Sequence, residues 1–302
     1  MADLSVKIAG VEFKNPIIAA SGTIGFGREY SEFYPLSVFG GISCKGTTLK
    51  ERPGNPPPRI AETPMGMLNA VGLQNPGVEH FIKYDLPWLK KQDTVAIANA
   101  AGSTTEDYCK IAEILSDTDI DMIELNISCP NVKEGGVQFG TSCESVAAIT
   151  KAVRKYCKKP LIIKLSPNVS DIASIAMAAE SEGADAVSLI NTLTGMRIDI
   201  NTHRPIIANI TGGMSGPAVF PVAVRMVWQV KKAVKIPVIG MGGITTWKDA
   251  VEMMMAGADA IQIGTALFTD PYSPVKIAEG LNAYLDKNGM KSVTELTGTV
   301  MC

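Results

Sequence analysis

Cys129 sits in the stretch ELNISCPNVKEGG (124–136), between a hydrophobic run and a loop of asparagine, proline and glycine. The ordinary state of a cysteine in a large intracellular chain is a small reduced hydrophobe, so a thiol at the start of such a loop calls for a chemical reason. Polar side chains stand at the ends of other apolar runs as well: Lys45 after GISC, Asn99 closing TVAIAN, Asn126 closing MIELN, Lys164 within LIIKL, and Asn191 closing AVSLIN. Asparagine is a common turn residue, so any one of these means little. Three asparagines and two lysines in the same relative place form a pattern. Lysine inside LIIKL is the sharpest member, because charge is rarely buried without a partner. Two more runs end in glycine, GMGGI with Gly242 and Gly243, and IGTAL with Gly264 and Thr265. Without side chains there, backbone N–H groups can approach an anion. The parts are a thiol, fixed cations, amides and a phosphate cradle.

Something must bring these parts together. The runs GISCK (41–45), TVAIAN (94–99), MIELN (122–126), LIIKL (161–165), AVSLIN (186–191), PVIGMGG (237–243) and AIQIG (260–264) read as buried parallel strands. Helical periodicity fills the gaps. Ser103-x-x-Glu106 and Thr141-x-x-Glu144 look like capping boxes, and Ser170 opens an apolar stripe through Ile172, Ile175, Ala176 and Ala179. Two helix-to-strand joints echo each other, Glu182 to Val187 and Ala256 to Ile261, with Gly183 and Gly257 suited to the left-handed position that ends a helix. PIIANI (205–210) is a weaker candidate for an eighth strand between 191 and 236. Eight β–α alternations in roughly 250 residues or more make an α/β fold of the (β/α)8 TIM barrel type, with an open doubly wound sheet as the alternative. One domain is expected over residues 1–302, with a VKI…VEF hairpin placed before the barrel. The segment 50–80, rich in proline and glycine, is too long for an ordinary joint and reads as a lid over the carboxyl ends of the strands, where a barrel builds its site.

Composition narrows the partners. The chain has 302 residues, net charge −2 and 46% hydrophobic residues, as expected of a soluble globular protein with a sizeable core. No block of like charge marks a nucleic-acid or membrane surface. The N-terminus, with Asp3, Lys7, Glu12 and Lys14, reads as neither signal peptide nor membrane span, so a cytoplasmic location is expected. Six cysteines without a C-x-x-C pair and two distant histidines give no legible zinc or iron–sulfur site. Gly25-Phe-Gly27-Arg-Glu-Tyr30 is broken at the third glycine, which leaves no dinucleotide fingerprint and makes the expected phosphate a mononucleotide's.

The segments ANAAG (98–102), ELNISCPNVKEGG (124–136), IIKLSPN (162–168), INT (190–192), GGMSGPA (212–218), GMGGI and IGTALF together resemble the FMN-dependent dihydroorotate dehydrogenases, in that family's order and from about Ser21 to Phe268. The cysteine in NISCPN resembles the soluble class 1 enzymes, and VKEGG…FG looks like subclass 1B, a catalytic subunit working with an iron–sulfur flavoprotein and NAD. The resemblance implies oxidation of (S)-dihydroorotate to orotate in pyrimidine biosynthesis, with one FMN per chain. FAD and a 2Fe-2S cluster would lie on the partner, in a heterotetramer of two catalytic and two electron-transfer subunits.

It also implies roles. Cys129 would be the base that takes the C5 proton while hydride leaves C6 for FMN. A thiol suits this because its unperturbed pKa, about 8.5, leaves a useful thiolate fraction near neutrality. Pro130 would stiffen the chain after it, and Gly135 and Gly136 would let the loop open and close. Ser21, Lys45, Gly46, Asn99, Asn126, Lys164, Ile190, Gly216, Gly242, Gly243, Gly264 and Thr265 match FMN-binding positions, with Lys164 also stabilising charge on the reduced ring. Lys45, Asn69, Ala70, Val71, Gly72, Leu73, Asn126, Asn191 and Thr192 match the substrate site, and Cys44 reads as packing. Competing readings are a fumarate-linked class 1A enzyme and a dihydropyrimidine dehydrogenase-like or tRNA-dihydrouridine synthase-like reductase. The last of these wants a basic face that a charge of −2 does not supply. A phosphate-binding aldolase or isomerase and a non-catalytic flavin binder complete the alternatives.

Overall fold

In the computed structural model, which describes residues 2–127 and 139–301, eight parallel strands close into a barrel. In chain order they are Ile17–Ala19, Gly41–Ser43, Val95–Ala100, Met122–Asn126, Leu161–Lys164, Ala186–Leu189, Val238–Met241 and Ala260–Ile263. Each pairs with its neighbours in sequence, and the eighth closes on the first through Ile261 opposite Ile17. Closure removes the open-sheet alternative. The strands carry few polar residues because both faces are covered, the inner by the barrel's own side chains and the outer by helices. The helices Thr105–Ser116, Cys143–Arg154, Ile172–Ser181, Phe220–Ala233, Trp247–Met255 and Ser273–Lys287 each bury one stripe, such as Val146, Ile149 and Val153.

The eighth strand is not PIIANI. In that region only Arg204–Pro205 pairs, outside the barrel, with Ile198–Asp199. Ile207 is buried, but Ile210 is exposed and takes φ 68°. Pro205 has no N–H for a central ladder, so the run folds as cover. The missing strand is instead the first, Ile17–Ala19. Its start is tied to the next strand by Asn15, whose Oδ1 accepts from the N–H groups of Ile17 and Gly40, each at 3.0 Å. Gly40 is obligatory, since a Cβ there would lie 1.9 Å from the Asn15 carbonyl oxygen.

Helix caps fall one residue later than the sequence pattern suggested. Thr104, not Ser103, accepts from the Asp107 N–H at 3.1 Å, and the Asp107 carboxylate takes the N–H groups of Thr104 and Ser103 at 3.2 and 2.9 Å. Likewise Ser142 caps in place of Thr141, and Asp171 in place of Ser170. In each case a neighbouring side chain of the same capping class has the right reach. Gly183 and Gly257 do end their helices with left-handed φ of 93° and 124°.

The hairpin Val6–Ile8 with Val11–Phe13 forms as expected, and its Phe13 ring fills the space beside Gly41 at the amino end of the second strand. At the opposite end, Ile60–Thr63 and Gly66–Asn69 form an antiparallel hairpin within the 50–80 segment. It joins Thr211–Ser215 and Leu193–Met196 in a four-stranded sheet covering the strand ends. Among the described residues no helix is long and apolar enough to cross a membrane.

Candidate active site

A cleft opens between the carboxyl ends of the barrel strands and the four-stranded cover. The chain after the first strand contributes Ser21, and that after the second Lys45 and Gly46. Asn126 and Lys164 come from the ends of the fourth and fifth strands, while Ile190, Asn191 and Thr192 follow the sixth. Gly242, Gly243, Gly264 and Thr265 follow the seventh and eighth, and Gly216 comes from the cover. Asn69, Val71, Gly72 and Leu73 come from the 50–80 segment. Sequence reasoning therefore names residues that one cavity gathers from across the chain.

Two expected residues stand elsewhere. Asn99 is fully buried and lies in the layer beneath the cleft, donating to Glu124 at 2.7 Å. Ala70 is also fully buried, and its backbone is engaged within its own loop: its N–H donates to the Arg59 carbonyl at 2.8 Å and its carbonyl accepts from Asn55 Nδ2 at 2.9 Å. Cys129, Pro130, Gly135 and Gly136 lie outside the described residues. Cys44 is fully buried, and burial pushes its thiol well above the usual range, with Asp85 adding to the rise, as befits a packing residue.

Beneath the cleft lies a feature that sequence reasoning missed. Glu124 points into the barrel with no exposed surface. Its Oε2 accepts from Ser43 Oγ at 2.6 Å and Asn99 Nδ2 at 2.7 Å; its Oε1 accepts from Ser188 Oγ at 2.7 Å and Gln262 Nε2 at 2.8 Å. Four donors on two oxygens suit an ionised carboxylate, which is acceptor-only. Burial pushes its pKa up, but the Lys164 charge and the hydrogen bonds from Ser43, Ser188 and Gln262 outweigh that and hold it below the usual carboxylate range. Lys164, only 5% exposed, thus shares the barrel floor with a compensating charge. The signal was available: a glutamate at the centre of MIELN, an otherwise buried strand, is as anomalous as the lysine in LIIKL.

The amides continue upward from this floor. Asn126 Nδ2 donates to Asn99 Oδ1 at 3.4 Å, and Asn191 Nδ2 donates to Asn126 Oδ1 at 3.3 Å. Asn191 Oδ1 in turn accepts the Thr192 N–H at 2.7 Å. On the opposite wall, Gly243 takes φ 77°, and a Cβ there would sit 2.7 Å from Phe220 Cβ and 2.9 Å from the Gly216 carbonyl oxygen. Gly264 differs: a Cβ would meet nothing nearer than 3.6 Å, so packing does not require glycine. Its missing side chain leaves backbone open to the cleft. Thr265 Oγ1 donates to Ser215 Oγ at 2.8 Å beside it.

The amino-acid sequence that builds this site matches known proteins along nearly its whole length. The model of one family, dihydroorotate dehydrogenase, matches residues 3–285. A Bacteroides thetaiotaomicron protein named dihydroorotate dehydrogenase B (NAD(+)), catalytic subunit, is 59% identical over 301 residues, covering 99% of each chain. Proteins of the same name from Alkaliphilus oremlandii and Petrotoga mobilis are 55% and 53% identical, over 98% and 99% of this chain and 98% and 100% of their own. Matched over this length by the family model and by relatives more than half identical, the chain belongs to the dihydroorotate dehydrogenase family.

Proposed function

We propose that the chain oxidises (S)-dihydroorotate to orotate with FMN, as the catalytic subunit of an NAD-linked dihydroorotate dehydrogenase in pyrimidine biosynthesis. The observation that carries this reading is the convergence, in one cleft, of a buried lysine, stacked asparagine amides and a glycine-walled recess after strands seven and eight. That recess is where barrels of this class hold phosphate. The backbone laid open at Gly264, where a side chain would enter the cleft without touching its neighbours closely, fits an FMN phosphate.

FMN, when bound, supplies the acceptor for the hydride that leaves C6 of the substrate. Ser21, Gly46, Gly216, Gly242, Gly243, Gly264 and Thr265 would hold it. Lys164, held almost fully buried at the cleft floor, offers a cation that needs no reorganisation as negative charge develops above it. Asn69, Asn126 and Asn191 present amide faces suited to a pyrimidinedione, and Lys45 a cation suited to its carboxylate. Cys129 takes the proton from C5, a role carried over from the NISCPN motif. The four-stranded cover limits water access to the reacting face.

The sequence carries neither a cysteine cluster for iron–sulfur nor a dinucleotide fingerprint, so delivery of electrons to NAD requires a second subunit. By resemblance that subunit carries FAD and a 2Fe-2S cluster, in a heterotetramer of two subunits of each kind. The test is reconstitution of the purified chain with FMN, followed by anaerobic dihydroorotate. Bleaching of the flavin absorbance is expected. A protein that takes up no FMN, or a yellow one that dihydroorotate leaves coloured, overturns the proposal.

A further inference from the structure

We propose that Glu124 is a positioning residue: its buried carboxylate fixes the amide orientations of Asn99, Asn126 and Asn191 as one directional relay, and so decides which donor and acceptor faces the cleft offers a pyrimidine. The inference deepens the proposed function and rests on that reading for the identity of the ligand.

The argument begins with hydrogen-bond direction. An ionised carboxylate only accepts, so Asn99 must present its NH2 group to Glu124 Oε2, 2.7 Å away. Its Oδ1 is thereby turned toward Asn126 Nδ2 at 3.4 Å. Asn126 Oδ1 then faces Asn191 Nδ2 at 3.3 Å, and Asn191 Oδ1 receives the Thr192 N–H at 2.7 Å. Flipping any one amide would set NH2 against NH2 on one side and oxygen against oxygen on the other. The inner links are long and individually weak. The ends favour this orientation, since the charge-assisted bond to Asn99 and the backbone N–H of Thr192 are both short.

Glu124 is suited to this because its other acceptor sites are filled. Ser43 shares Oε2, and Ser188 and Gln262 occupy Oε1, so the side chain cannot rotate without losing bonds on both oxygens. A neutral amide at position 124 has one acceptor oxygen in place of two and no charge, so Asn99 Nδ2 loses the charge-assisted bond that anchors the relay. Asn126 and Asn191 line the cleft while Asn99 and Glu124 lie below it, so the carboxylate acts on the ligand only through the relay.

The experiment measures orotate affinity of the FMN-loaded protein. Glu124→Gln is expected to weaken orotate at least about tenfold, the scale of one mis-set hydrogen bond. Ser188→Ala removes a donor from Oε1 but spares the Asn99 link, and should stay within about twofold. Equal losses in the two variants, or none in Glu124→Gln, overturn the proposal. Asn99→Asp gives a readout that a merely structural role would not move. Beside Glu124 the two carboxyl groups would share one proton, and the protonated form still donates downward and accepts upward. Lys164 is the charged group that acts on this pair. Orotate affinity of Asn99→Asp should therefore be near the parent's in acid and fall at least about tenfold further than the parent's as pH rises; a profile parallel to the parent's overturns the relay. If Glu124→Gln does not fold, Asn99→Asp alone decides. Failure of the parent to take up FMN would strike the proposed function instead. The relay is then read in the flavin-free protein, where Glu124→Gln must speed side-chain amide exchange of Asn126 and Asn191 at least about tenfold, and unchanged exchange overturns it.

Discussion

Replacing Lys164 by methionine tests how the floor of the barrel is held together. Methionine keeps the unbranched shape of a side chain that is almost fully buried, and leaves Glu124 with its four donors but without its countercharge. Removing one partner of a buried pair typically costs roughly 3–5 kcal/mol, even though the removed ion's own desolvation is relieved. Lys164→Met should therefore destabilise the flavin-free protein by about 3 kcal/mol near pH 8. The pH dependence follows from the sign of the Glu124 shift. Its folded pKa lies below the ordinary value, so the stability it confers in the parent is present above the unfolded pKa, about 4.3, and is lost as pH falls through the folded pKa. In the variant the lowering from Lys164 is gone, and burial drives the folded pKa upward relative to the parent. Acid then neutralises the stranded carboxylate, and the deficit of the variant shrinks as pH falls. Urea unfolding of both proteins from pH 8 down through the carboxylate range reads this gap. A gap that stays constant with pH, or one below about 1 kcal/mol at pH 8, refutes the reasoning.

The chemistry gives three further expectations. Cys129→Ala should retain FMN yet lose dihydroorotate-driven bleaching by at least about a hundredfold, the usual scale for a positioned base, in single-turnover absorbance measurements; near-parent bleaching would end that assignment. Serine at 129 should leave a slow activity that rises with pH, since a hydroxyl is a far weaker acid than a thiol. Gly243→Ala, forced into φ 77° with a Cβ 2.7 Å from Phe220 Cβ, should lower stability by about 1–3 kcal/mol and weaken FMN binding in titration at least about tenfold, whereas parent-like FMN affinity would remove Gly243 from the cradle. The lone FMN-loaded chain should reduce artificial dyes with dihydroorotate but not NAD, gaining NAD reduction only with an FAD and iron–sulfur subunit; direct NAD reduction by the lone chain sinks the partner assignment.

The barrel was legible because seven of its strands are apolar runs bounded by helical periodicity, and because polar residues at their carboxyl ends break the pattern where a site must be. The first strand escaped because it has three residues and follows a hairpin and Pro16, with no helix after it to complete a β–α unit; residues 20–40 hold only short 3-10 turns. What positions it is a side-chain amide, Asn15, and periodicity does not report such a contact. PIIANI misled for the converse reason: its composition suits a strand, yet only one of its isoleucines, Ile207, is fully buried. The caps slipped by one residue because several capping side chains stand in a row at each helix start, and only backbone geometry selects among them.

Glu124 was passed over for a different reason. Ligands meet side chains at strand ends, and this carboxylate lies two positions earlier on the same strand as Asn126, facing the same interior. The spacing has a physical consequence. Residues two apart on a strand share a face, so Glu124 stands directly below Asn126, while Asn99, opposite Glu124 on the neighbouring strand, bridges the two. The register thus stacks a charge beneath an amide layer and the amide layer beneath the cleft. A site that is to accept an anionic substrate and a phosphate cannot expose a carboxylate to them. Here the carboxylate is covered by amides and balanced by Lys164, so its influence reaches the cleft as oriented dipoles, while Lys45 and Lys164 remain the charged side chains from strand ends that line it. Shifting Glu124 by one residue along the strand would turn it out of the barrel, and shifting it two toward the end would place it in the cleft. Its present position lets a negative charge organise a site for anions from beneath it.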